Sequence, residues 1–140
     1  MLAQNQDKEF YQRELASFLP DRIFDAHAHL WRDKPYNNMF CFLGTGDVGY
    51  HQYVAFMDDL HPGRSVNGLF LPVFPVDHPE TIPEANQWIA QQAAEHDANR
   101  GLFFVQPTDD PEWVRQEVRR LGLHGLKCYH TFADTTPTWE

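Results

Sequence analysis

Basic residues are scarce in this chain: 11 Lys and Arg stand against 20 Asp and Glu, a formal net charge of −9. A surface that acidic repels phosphate backbones, so bulk nucleic-acid binding is not expected. Long apolar runs are missing too. No stretch approaches the ~20 residues that cross a bilayer. The opening residues Met1-Leu-Ala-Gln-Asn-Gln-Asp-Lys8 lack the basic-then-apolar order of a secretion signal. The expected location is cytoplasmic, away from any membrane. Cysteine is sparse: Cys41 and Cys128 stand alone and far apart, which makes neither a disulfide framework nor a CxxC metal knuckle, and free thiols are expected. No G-x-S-x-G elbow occurs, which excludes a serine hydrolase of that kind. Internal repeats and low-complexity tracts are also absent. What remains is 140 residues, 42% of them hydrophobic, about one domain's length and apolar enough for a core. One residue type is abundant: the chain has 8 histidines.

The pattern alternates strand and helix after a helical lead-in over residues 1–20. Between Asp7 and Leu19, Phe10, Tyr11, Leu15, Phe18 and Leu19 fall on one helical stripe, closed by Pro20. Residues 22–30 read as a first strand, followed by a loop of about 20 residues, a length common in binding loops and lids. Tyr53, Phe56, Met57 and Leu60 mark a helix stopped by His61-Pro-Gly63. A second strand covers 66–71. Thr81 and Glu84 then fit a capping box with Pro83 in the first turn, and Ala85, Trp88, Ile89 and Ala93 give that helix a buried face. A third strand covers 101–106. Asp110 and Pro111 open a last helix, with Trp113, Val114, Val118 and Leu121 inward and Gly122 at its end. A fourth strand covers 123–130. Strands separated by helices predict a parallel α/β sheet. Two architectures fit: a small doubly wound sheet, or the first half of an eight-stranded (β/α) barrel over residues 21–140.

Strand side chains alternate faces. His27 and His29 are therefore expected on one face with Ile23 and Asp25, and Phe24, Ala26, Ala28 and Leu30 on the other. Two imidazoles one strand step apart can grip a divalent ion, at the strand end where parallel α/β folds place their chemistry. The spacing alone is weak, since 8 histidines in 140 residues give about 0.45 His-x-His matches by chance. The setting adds weight: an apolar strand, an acid before the pair and a long loop after it. The alternative is a hydrogen-bonded histidine pair at a strand end.

Asp25-Ala-His-Ala-His29 resembles the first-strand D-x-H-x-H signature of the amidohydrolase superfamily, in its amidohydrolase-related (metal-dependent hydrolase) branch. Gly122-Leu-His-Gly-Leu-Lys127 is similar to that branch's fourth strand, and the strand–helix order agrees from about Asp21 onward. The resemblance implies a (β/α)8 barrel with His27 and His29 as ligands of a divalent metal, zinc first and manganese second. It implies that Lys127 is a site residue, carboxylated and bridging in binuclear members, unmodified and substrate-facing in mononuclear ones. Asp25 and His130 are the further candidates, as a support for the histidines or on the substrate side. The implied activity is attack of activated water on an amide, ester or lactone carbon, or the related decarboxylation of unsaturated acids. The partner is then a small-molecule substrate, and a homo-oligomer is allowed. Family members complete the site from the fifth, sixth and eighth strands, whereas four strands are read here. The chain is accordingly expected to be the N-terminal portion of a longer enzyme, and activity is expected of the complete barrel rather than of these residues alone.

Gly44-Thr-Gly-Asp-Val-Gly49 matches G-x-G-x-x-G ahead of a helix, the outline of a dinucleotide fingerprint. Against it, Tyr53 stands where a small residue is needed, and the acid of the next strand end would be Asp77, too late and behind two prolines. A nucleotide-binding α/β module is thus the alternative function, and a non-catalytic half-barrel that binds a partner is another. In the other reading, the segment is a glycine-bearing active-site loop capped by Asp47. Trp31, Tyr36, Phe40 and Phe42 wall a substrate pocket or pack over the sheet. His51, His61, His78, His96 and His124 are expected at the surface.

Overall fold

A computed structural model describes residues 4–32, 46–74 and 78–129 of the chain. Four strands, β1 (Arg22–Leu30), β2 (Ser65–Pro72), β3 (Arg100–Phe104) and β4 (Gly125–Lys127), form one sheet in the order β1-β2-β3-β4. Every neighbouring pair is parallel. The order never reverses, as it does at the switch point of a doubly wound sheet. Three helices connect the strands: α2 (Tyr50–Leu60), α3 (Ile82–Ala93) and α4 (Pro111–Leu121). A short helix, α1 (Asn5–Phe10), leads in and widens into a π-type turn over Tyr11–Leu15.

All three connecting helices cover one side of the sheet. Tyr50 and Tyr53 from α2, Ile89, Ala90 and Ala93 from α3, and Val114 from α4 share one core with Ala28, Leu30, Val66, Phe70 and Phe103 of the strands. A second, smaller core joins Phe74, Ile82, Ala85 and Phe104. On the other side, the start of α3 meets Phe104 through Ile82 and Ala85, and Phe24 is 49% exposed.

The helix ends show how local chemistry sets the boundaries. Asp110 accepts a 2.8 Å hydrogen bond from the Trp113 N–H, filling one orphan donor of the first turn. Gly122 ends α4 in the left-handed conformation, φ 65°, which glycine adopts without a Cβ penalty. Replacing Asp110 by Ala should cost about 1 kcal/mol, read as a shift in the urea midpoint with an unchanged slope. The capping box expected at α3 does not form. The Thr81 hydroxyl instead donates to the His78 carbonyl at 2.7 Å, because a 3-10 turn over Pro79–Thr81 precedes the helix. Glu84 turns away and pairs with Arg32 at 2.7 Å.

The lead-in departs further from expectation. Helical structure runs from Asn5 to Leu15, not to Leu19. Of its apolar stripe only Tyr11 is buried, at 3% exposure, while Phe18 is 82% exposed. No helix is long and apolar enough to cross a membrane among the described residues.

Candidate functional site

β1 carries an irregularity that decides where its side chains point. Its pairing runs Asp25↔Gly68 and then Ala28↔Phe70, so Ala26 and His27 together stand opposite Leu69. This is a β-bulge, a device that re-aims side chains next to functional sites. Cross-strand partners point to the same side, so the extra residue changes the parity of the strand. Ile23 and Asp25 fall on the helix-covered side with Ala28 and Leu30. His27 and His29 fall on the open side. The strict alternation that grouped Asp25 with the two histidines is thereby corrected.

The Asp25 carboxylate confirms this placement. Its Oδ1 accepts from the His27 backbone N–H at 3.0 Å, and its Oδ2 accepts from the Tyr53 hydroxyl at 3.4 Å. Asp25 thus braces the bulge from behind and contacts neither imidazole by hydrogen bond. Burial first, and then the Asp25 charge, hold the Tyr53 phenol well above its ordinary range.

The two imidazoles converge. His27 Nε2 and His29 Nε2 lie 3.0 Å apart, with ring centroids at 4.9 Å. Burial chiefly, then the neighbouring His27 and the charge of Lys127, lower the pKa of His29 and keep its imidazole neutral at pH 7. A neutral ring offers the lone pair that a metal requires. Two ligand nitrogens about 2.0–2.1 Å from a tetrahedral zinc ion stand roughly 3.3 Å apart, close to the observed separation. The His29 Nδ1 is enclosed and has no hydrogen-bond partner among the described residues. No group of three or more His, Cys, Asp or Glu forms a cage among them either. The pair therefore fits two corners of an ion's coordination shell.

Lys127 lies on the same open side, since it pairs with Phe104, whose neighbour Phe103 belongs to the helix-covered core. Its ammonium sits 4.5 Å from the centre of the Tyr129 ring, a cation–π contact. Three strand spacings of about 4.8 Å separate it from β1 along the sheet, so it acts on His29 through its field. Around it, Phe104 meets Phe74 edge-on at 4.5 Å and Tyr129 at 5.3 Å. His130, Cys41, Tyr36, Phe40 and Phe42 lie outside the described residues. Trp31 is half-buried. It closes the base of the long loop through paired backbone bonds with Val48, and its indole N–H donates to the Gly46 carbonyl at 2.9 Å.

The glycine pattern before α2 has local explanations. Gly46 takes a left-handed φ of 61°. Gly49, not Asp47, is the residue that caps α2, and a Cβ on it would stand 2.5 Å from Gln92 Oε1. That oxygen already accepts the Tyr50 N–H at 2.8 Å, the kind of donor a pyrophosphate would use. Gly44 lies outside the described residues. The remaining histidines are not all free surface groups. His78 meets Glu80 at 2.9 Å, His96 Nδ1 lies 3.2 Å from Asn67 Nδ2, and His61 is half-buried against Tyr11. His124 is exposed on the surface, as His51 is, where it stands 3.7 Å from Glu95. Cys128 is a free, exposed thiol.

Sequence reasoning missed Asn86, which carries no motif, and placed Tyr53 on a helix face without its contact to Asp25; only burial and partners reveal these roles. No protein-family model matches the chain, and no curated protein or solved structure matches it.

Proposed function

We propose that this chain forms the first half of an amidohydrolase-type (β/α)8 barrel and contributes His27 and His29 to a divalent-metal site for hydrolysis. The observation that carries the reading is the 3.0 Å convergence of the two Nε2 atoms at the C-terminal end of the first parallel strand. The unreversed strand order and the three connecting helices on one side favour a winding barrel over an open doubly wound sheet.

In this reading the ion, zinc before manganese, supplies Lewis acidity toward a carbonyl and activates water. His27 and His29 hold it, with the bulge setting their separation and Asp25 fixing the bulge. Lys127, over the Tyr129 ring, meets a negatively charged part of a small substrate. The remaining ligands come from later strands of the barrel. Amide, ester or lactone hydrolysis and decarboxylation of an unsaturated acid use the same pair.

Calorimetric titration of the metal-free chain with zinc chloride tests the reading. One ion per chain is expected, held more weakly than in a three-ligand centre. Either His27→Ala or His29→Ala should weaken it at least about tenfold, since two donors are the minimum for chelation. Binding should also fade as the pH falls, because protons compete for imidazole nitrogen, with His29 yielding only below the ordinary histidine range. Equal zinc affinity in the wild type and both variants would overturn the proposal.

A further inference from the structure

The lead-in segment is held at the end of the sheet opposite the histidine pair, where α2 passes into β2. Of Phe10, Tyr11, Leu15 and Phe18, Tyr11 alone is buried. Its ring meets the His61 imidazole edge-on, with centroids 5.2 Å apart. The Arg64 guanidinium stands 5.6 Å from the centre of the same ring. Arg64 Nη2 also donates to the carbonyls of Ala16 and Leu19, and Lys8 pairs with Asp59 of α2. Tyr11 Oη, His61 Nδ1 and Arg64 Nε are all enclosed, and none finds a hydrogen-bond partner among the described residues.

We propose that His61 is a pH-sensitive latch, holding residues 5–19 against the sheet at neutral pH and releasing them on acidification. The cluster accepts a neutral imidazole and rejects a charged one. A proton on His61 would place a second cation beside Arg64, in an enclosed cluster that holds no carboxylate partner for His61 Nδ1 among the described residues. The carboxylates near it on its own helix are Asp58, which is exposed, and Asp59, which Lys8 engages. Burial and Arg64 accordingly lower the pKa of docked His61. Undocking removes the burial, so the group rises toward about 6.5. The undocked state therefore binds more protons, so docking is fully favoured above about pH 6.5 and is lost as the pH falls toward the lower docked value. The Arg64 bonds to backbone carbonyls do not titrate, so His61 is the element of the latch that senses pH. Release exposes Tyr11 beside Phe10, Leu15 and Phe18, turning the segment into a mobile arm with an apolar stripe.

Amide hydrogen exchange, corrected for intrinsic rate and compared at pH 7.5 and 5.5, tests this. Protection over residues 8–19 should fall by up to about tenfold at pH 5.5, the limit for one group of undocked pKa about 6.5, while protection in β2 stays unchanged. In His61→Gln the arm should be equally protected at both pH values. An unchanged wild-type arm, or the same pH-dependent loss in His61→Gln, would overturn the latch. Should His61→Gln leave the arm undocked throughout, NMR titration of the wild-type imidazole decides. A pKa below 6.5 sustains the latch and one at or above 6.5 removes it.

Discussion

Phe70→Ala should lower the stability of this chain by about 3–5 kcal/mol, the usual range for emptying a buried aromatic site. Phe70 is 0% exposed at the centre of β2. Tyr53 meets its ring edge-on at 5.0 Å and Tyr50 at 6.0 Å, so α2 rests on this side chain. It also pairs with Ala28 of β1 and Gly101 of β3, which ties three strands and a helix to one ring. Total stability for a native protein is about 5–15 kcal/mol, so the variant forfeits a large share of it. The expected readout is a fall of roughly 1–3 M in the urea midpoint with an unchanged slope. A loss under about 1 kcal/mol would mean that α2 does not pack as described. The effect reaches the site because α2 carries Tyr53, which holds Asp25 behind the bulge.

Much of this fold is legible in the residues. β1 occupies Arg22–Leu30 and α2 ends at Leu60, as periodicity and the His61-Pro-Gly63 stop predict. Asp110 caps α4 because its signal lies within one helical turn. The errors come from terms that local patterns do not contain. The turn before α3 holds Thr81 in a helical conformation with its hydroxyl donating to the His78 carbonyl, and no capping box forms. The apolar stripe before Pro20 predicts a docked helix, but the structure gives it one pocket, filled by Tyr11.

The histidine pair shows the same division. That His27 and His29 share a face is legible, since they are two residues apart and their Nε2 atoms meet at 3.0 Å, although His27 lies in the bulge itself. That Asp25 faces away is not legible, because period-2 reasoning assumes one residue per partner and Ala26 breaks that rule. The consequence is chemical. On the open face, Asp25 would compete for the imidazoles or for the ion. Behind the sheet, it instead accepts the His27 backbone N–H and leaves the two Nε2 atoms 3.0 Å apart. The bulge thus separates the residue that fixes the geometry from the residues that would do the binding.

Asn86→Leu should be nearly as damaging as the loss of Phe70, at roughly 2–5 kcal/mol, through polar groups rather than volume. The β2–β3 ladder is short, with Leu69↔Arg100 and Phe70↔Gly101 as its pairs. Beyond it, the backbone of Phe104 turns to the amide of Asn86. Asn86 Nδ2 donates to the Phe104 carbonyl at 2.9 Å, and its Oδ1 accepts the Phe104 N–H at 2.7 Å. Asn86 is 1% exposed, so no water can take its place, and leucine strands two enclosed backbone groups. Asn86→Asp separates this account from a simple packing one. Its carboxylate still accepts the N–H but repels the Phe104 carbonyl, and burial raises its pKa. The aspartate variant should therefore gain stability relative to wild type as the pH falls and the group protonates, regaining a donor for that carbonyl. Leucine should show no such recovery. The same pair of variants reports on the proposed site, because Phe104 supports Tyr129 and Tyr129 underlies the Lys127 ammonium. If both variants melt like wild type, the end of β3 is held by something other than this amide.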